Sequence, residues 1–123
     1  MSPNTFSRLM AGYVIAVGGT ALHDVAEFGA PSIQNTIPFF ILAGALLFVW
    51  RRWPRLARAA RITLLAFVML ALTGGGLASV LPLAFWPWKP EQSAEHYLVH
   101  VAWTMSLAVF AWMIFKQKRA TAQ

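Results

Sequence analysis

Four apolar runs, each near the length of a bilayer crossing, follow one another along this chain with only short polar connections between them. They extend from Leu9 to Phe28, Ile33 to Trp50, Ile62 to Phe85 and Glu95 to Phe115. A helix needs about 20 mostly apolar residues to cross the hydrocarbon core. Composition agrees: 59% of the 123 residues are apolar and only 11% are charged, against about 25% charged in a soluble domain. A soluble fold of this size cannot enclose that much apolar surface, whereas a bilayer solvates it. The expectation is an all-α integral membrane protein, a single transmembrane domain over residues 1–123 with four transmembrane helices at about 9–28, 33–50, 62–85 and 95–115. Short connections make consecutive helices antiparallel, as in an up-down-up-down bundle.

Local features qualify these spans. Only Leu9 to Leu22 of the first run is free of charge, and the run ends in His23-Asp24 without a small-x-small cleavage site, so it reads as a retained helix and not a signal peptide. Pro31 and Pro38 introduce the second run, where the first amides of a helix lack intrahelical partners in any case. Gly74, Gly75, Gly76 and Pro82 interrupt the third. These glycines, with Gly18 and Gly19, read first as sites of close helix approach and second as room for a flat cofactor.

Charge sets the direction. Arg51, Arg52, Arg55, Arg58 and Arg61 fall between the second and third runs, Lys116, Lys118 and Arg119 follow the fourth, and Arg8 precedes the first. With four crossings, these nine of the ten basic residues share one side, and Lys89 alone takes the other. The positive-inside rule then gives an N-in/C-in topology, with both termini and the Arg51–Arg61 loop cytoplasmic. Phe85, Trp86 and Trp88 mark the outer interface, Trp50 and Trp53 the inner one. The net charge of +6 is thus topological and not the footprint of a nucleic-acid binder. The arginine loop reads chiefly as a topology anchor, with attraction of anionic lipid head groups or a partner as the lesser reading. Compactness and the lack of a targeting segment suggest a bacterial inner membrane, and a bundle this small suggests a homo-oligomer or a subunit of a larger membrane complex.

The ionisable residues sort to the opposite side. Asp24, Glu27, Glu91 and Glu95, with His23, His96 and His100, all fall at the extracytoplasmic end. There are no cysteines, hence no thiolate metal site. His23 and Glu27 are four residues apart, as are His96 and His100, so each pair occupies one helical face. With the first and fourth helices antiparallel, His23 comes level with His100 and Glu27 with His96. Three imidazoles and a carboxylate form a ligand set suited to a transition metal ion: Zn, Fe, Cu or Mn. Asp24 and Glu95 lie about 100° around their helices from these faces, and would stand behind the ligands, orienting the imidazoles. Tyr97 and Trp103 are close by on the fourth helix. Ionisable groups within a span are costly and normally face a partner.

Three functions fit this pattern, beside a purely structural accessory role. The first is a metal-binding membrane protein serving catalysis, redox chemistry or ion handling. The second is a b-type haem subunit with His23 and His100 as axial ligands. The third is a metal-free acid–base enzyme or transporter, against which stands the apolar middle of helices two, three and four. A histidine–aspartate contact that merely ties helices together is the plain alternative to all three.

Overall fold

The structure, a computed structural model, describes residues 2–82, 84 and 92–120, with the last three in backbone only. Phe85, Trp86, Trp88, Lys89 and Glu91 lie outside the described residues. The described chain is all-helical. Helix α1 covers Pro3–Phe28, α2 Thr36–Arg52, α3 Ala57–Leu70 and α4 Ala94–Ala120. A 3-10 turn, Pro54–Leu56, leads into α3, which continues as a π-helical segment, Ala71–Leu77, and a second 3-10 turn, Ala78–Val80.

Three helical stretches are long and apolar enough to cross a membrane: Pro3–Phe28, Pro54–Val80 and Ala94–Gln117. The fourth, α2, has 17 residues, or about 25 Å at 1.5 Å per residue. It is apolar up to Arg51 and exposes Ile37, Phe40, Ile41, Leu42 and Phe48.

The helix ends differ from those drawn by hydropathy, for local reasons. The first helix begins at Pro3 rather than Leu9, because the Ser2 hydroxyl accepts the Thr5 amide and proline occupies the first turn. It stops at Gly29, whose φ of 77° is the left-handed conformation that glycine adopts without strain. The second helix begins at Thr36 rather than Ile33, since the intervening residues form a turn bound to Asp24. The arginine segment is largely helix, not loop: only Trp53 is extended, and Pro54 reopens the helix. Gly74 to Gly76 do not break their span; they widen it into the π-helical segment, a form found mostly as single-turn insertions within α-helices.

Each helix packs on two others, α1 on α4 and α2, and α3 on α2 and α4. The pairings along α1 and α4 run in opposite senses: Gly12 meets Phe110, Gly19 meets Trp103 and Ser106, His23 meets His100 and Glu27 meets His96. The buried faces form narrow seams. On α1 the seam is Leu9, Tyr13, Ala16, Thr20 and His23; on α4 it is Ile114, Phe110, Leu107, Trp103, His100 and His96. Steps of three and four residues keep each line on one side of its helix. Both seams are apolar at one end and histidine-bearing at the other. The candidate site is therefore the polar end of the core.

Close approach of α1 and α4 depends on glycine. A Cβ on Gly19 would stand 2.0 Å from Ser106 Oγ, whereas one on neighbouring Gly18 would meet nothing within 4 Å. Gly19→Ala is expected to lower the thermal midpoint of the detergent-purified protein by the equivalent of about 1–3 kcal/mol. Gly18→Ala, which supplies only helix propensity, should leave it unchanged or raise it by up to about 1 kcal/mol.

Candidate metal centre

Asp24 organises one side of the site. Its side chain is wholly buried, and every group around it is a donor or can be one. Oδ2 accepts from Ser32 N at 2.9 Å, Ser32 Oγ at 2.7 Å, Thr36 N at 3.1 Å and Thr36 Oγ1 at 2.6 Å. Oδ1 accepts from Asn35 Nδ2 at 3.0 Å and lies 3.2 Å from His23 Nδ1. This is the surrounding of an ionised, acceptor-only carboxylate. It caps α2 from another helix: Asn35, at the N-cap position, makes no side-chain capping bond of its own, and Asp24 takes the Thr36 amide instead. A negative charge is favoured at a helix N-terminus, where the peptide dipoles leave positive charge.

That arrangement fixes a tautomer. With Asp24 ionised, His23 Nδ1 carries a hydrogen and donates it to Oδ1. His100 Nδ1 lies 3.3 Å from the Gly76 carbonyl oxygen, which only accepts, so it too carries the hydrogen. The π-helical segment presents that carbonyl. The Nε2 atoms of His23 and His100 then face each other at 3.1 Å. In two neutral rings of these tautomers both positions are lone pairs, an arrangement that calls for a cation or a proton between them.

Aromatic packing holds the rings in place. Trp103 lies against His23 with ring centroids 4.0 Å apart, and its indole N–H donates to Thr20 Oγ1 at 3.0 Å. The far edge of the indole fills the space over Gly75, where a Cβ would come within 2.6 Å. Trp103 is thus wedged between the first and third spans; Gly75 makes room for it, while Gly76 makes room for Thr104.

Glu27 and His96 complete the group. His96 Nδ1 lies 2.7 Å from Glu27 Oε1. His23, Glu27 and His100 each offer one ligand atom within 4.8 Å of the other two, the separation expected around a single metal ion. His96 is outside that trio but its ring lies beside that of His100, tilted by 49°, with centroids 4.5 Å apart. Its Nε2 is buried and, among the described residues, has no hydrogen-bond partner. A buried imidazole nitrogen without a partner is unusual and costly. Glu95 is exposed in the first turn of α4. Among the described residues no hydrogen bond joins it to an imidazole; with Glu27, His96 and Ser93 it lines a small polar cavity of about 180 Å³.

The donor geometry can be set against what each cofactor requires. A metal bonded to both Nε2 atoms at about 2.05 Å subtends about 100° across the 3.1 Å gap, close to the tetrahedral angle. Haem iron between axial histidines needs its two nitrogens about 4 Å apart on opposite sides of the porphyrin. The Nε2 atoms of His23 and His100, 3.1 Å apart, are closer than that axial separation, and the Trp103 ring lies against His23.

Several contributors were not apparent from spacing: Ser32, Asn35 and Thr36 around Asp24, and the Gly76 carbonyl. The cap-type residues of the Ser32–Thr36 turn carried a signal for a helix start, but not for its partner on another helix. No protein-family model, curated protein or solved structure matches the chain.

Asp24 satisfies the turn, the α2 terminus and His23 together, so its loss strands several buried donors. Asp24→Ala is expected to destabilise the purified protein by about 3 kcal/mol or more. His100→Ala should cost less. Thermal unfolding in detergent followed by circular dichroism ranks the two.

Proposed function

We propose that this protein binds a first-row transition metal ion near the extracytoplasmic face of the membrane and handles that ion reversibly. His23, His100 and Glu27 are the ligands, His96 supplies the fourth, and Asp24 and Gly76 fix the imidazole tautomers from behind. The observation that carries this reading is the pair of Nε2 atoms face to face at 3.1 Å, with His23 Nδ1 beside the Asp24 carboxylate and His100 Nδ1 beside the Gly76 carbonyl. Nitrogen and oxygen donors without sulfur suit Zn²⁺, Cu²⁺, Fe²⁺ or Mn²⁺. The cavity beside Glu27 is lined by Ser93, Glu95 and His96. That is an approach for a hydrated cation rather than for a lipid tail, which favours ion handling over chemistry on a lipid substrate.

In this reading α2 also crosses, the four helices run up-down-up-down, and both termini and the arginine turn face the cytoplasm of a bacterial inner membrane. The support is the segregation of charge: the acids and histidines cluster where α1 ends and α4 begins, and the arginines gather at the other ends.

A second reading has its own observation. The 3.1 Å between the two Nε2 atoms is also a hydrogen-bond length, so one shared proton, balanced by Glu27, satisfies the pair without a metal. That would make the cluster a proton-handling site.

Elemental analysis of the detergent-purified protein, after incubation with each metal and removal of excess, decides between them. The expected result is one bound ion per chain in the wild type and none in the His23→Ala, His100→Ala double variant. Asp24→Asn, by loosening a ligand's orientation, should weaken binding by about 10–100-fold. A folded wild-type protein that retains no metal under any of these conditions removes the metal reading and leaves the shared proton.

Orientation has a separate check, helped by the absence of native cysteine. A single cysteine at Ser93 should react with an impermeant maleimide added outside intact cells, and one at Ser7 only after the cells are opened. The reverse pattern overturns the proposed orientation.

A further inference from the structure

The turn between α2 and α3 carries a group of exposed arginines. Arg51 and Arg52 end α2, and Arg55 and Arg58 open the next span. All four are exposed, and among the described residues no carboxylate lies within ion-pair distance of any of them. The described acids, Asp24, Glu27 and Glu95, sit at the far ends of α1 and α4. Among the described residues nothing neutralises this turn.

Its depth is set by what accompanies the charges. Trp53 and Leu56 are exposed between the arginines, at 45% and 52%. An indole and a leucine held outward beside guanidinium groups match the boundary where head groups meet acyl chains. The span beginning at Pro54 starts at that boundary. Arg51 is also held in place, its guanidinium carbon 4.0 Å from the centre of the Phe6 ring on α1. Every basic residue of the turn is arginine, although the chain uses lysine elsewhere, at Lys89, Lys116 and Lys118. Guanidinium is the group that grips a phosphate with two parallel hydrogen bonds, where lysine offers a point charge.

We propose that this turn is a binding site for the phosphate of an anionic phospholipid, with Arg55 and Arg58 as the principal contacts, Arg51 and Arg52 flanking, and Trp53 and Leu56 against the upper acyl chains. The inference does not depend on the metal site, which lies at the opposite end of the seam. A soluble acidic partner would use the same charges, but exposed Trp53 and Leu56 at the level of the head groups favour lipid.

The test uses the full chain in detergent, titrated separately with phosphatidylglycerol and phosphatidylcholine. Native mass spectrometry reads the bound lipid, and the thermal midpoint reports folding. The wild type should retain phosphatidylglycerol over phosphatidylcholine by at least about tenfold. R55Q/R58Q should lose that preference, while R55K/R58K, which keeps the charge and hence the insertion signal, should keep part of it with an unchanged midpoint. A wild type that takes both lipids equally overturns the proposal, and so does an R55Q/R58Q protein that still prefers the anionic one.

Discussion

The ionised carboxylate of Asp24 is the interaction on which the polar end of this molecule depends. It sits at the close of α1, wholly buried, and is tolerable there only because the Ser32–Thr36 turn wraps around it with five donors and His23 adds a sixth. Burying an unpaired charge in a low-dielectric setting is expensive, so the turn and the carboxylate specify each other. Where α2 starts, how it meets α1, and which nitrogen of His23 is free all follow from one side chain. The consequences reach α4, because the Nε2 that His23 is obliged to expose is the one facing His100.

Part of this was legible in the chain alone. The apolar runs and the two i,i+4 pairs place His23 and Glu27 on one face and His96 and His100 on another, and opposed helix directions bring them level. Helical periodicity carries that information directly, which is why the trio of His23, Glu27 and His100 is close together in the structure. Asp24 shows the limit of the same argument. Displaced around the helix from His23, it looked like a group standing behind an imidazole. It does hold His23, but most of its bonds go to α2 and the preceding turn, and spacing along one helix says nothing about a partner on another.

The glycine run is the other lesson. Gly74 to Gly76 read as packing positions or as space for a cofactor, and the helix was expected to be interrupted there. The structure keeps the helix and changes its pitch. Gly75 makes way for the Trp103 indole, which lies against His23, and Gly76 offers its carbonyl to His100. A backbone carbonyl and a local change of pitch leave no mark in the order of side chains. The tautomer of His100 was therefore beyond sequence, although the histidine itself stood out.

Taken together, these contacts explain why two imidazoles can be pressed nitrogen to nitrogen in an apolar bundle. Each ring is held from its far side by an acceptor that cannot donate, a carboxylate for His23 and a carbonyl for His100, so neither can relieve the contact by exchanging its hydrogen. Trp103 lies against His23, and Gly19 permits the close α1–α4 approach that brings the two rings together. His96, one turn along α4, adds a buried nitrogen without a hydrogen-bond partner among the described residues. Lone pairs directed at a common point by fixed backing groups are the condition of a preorganised cation site. The carboxylate of Glu27 beside them supplies the charge that such a cation would need.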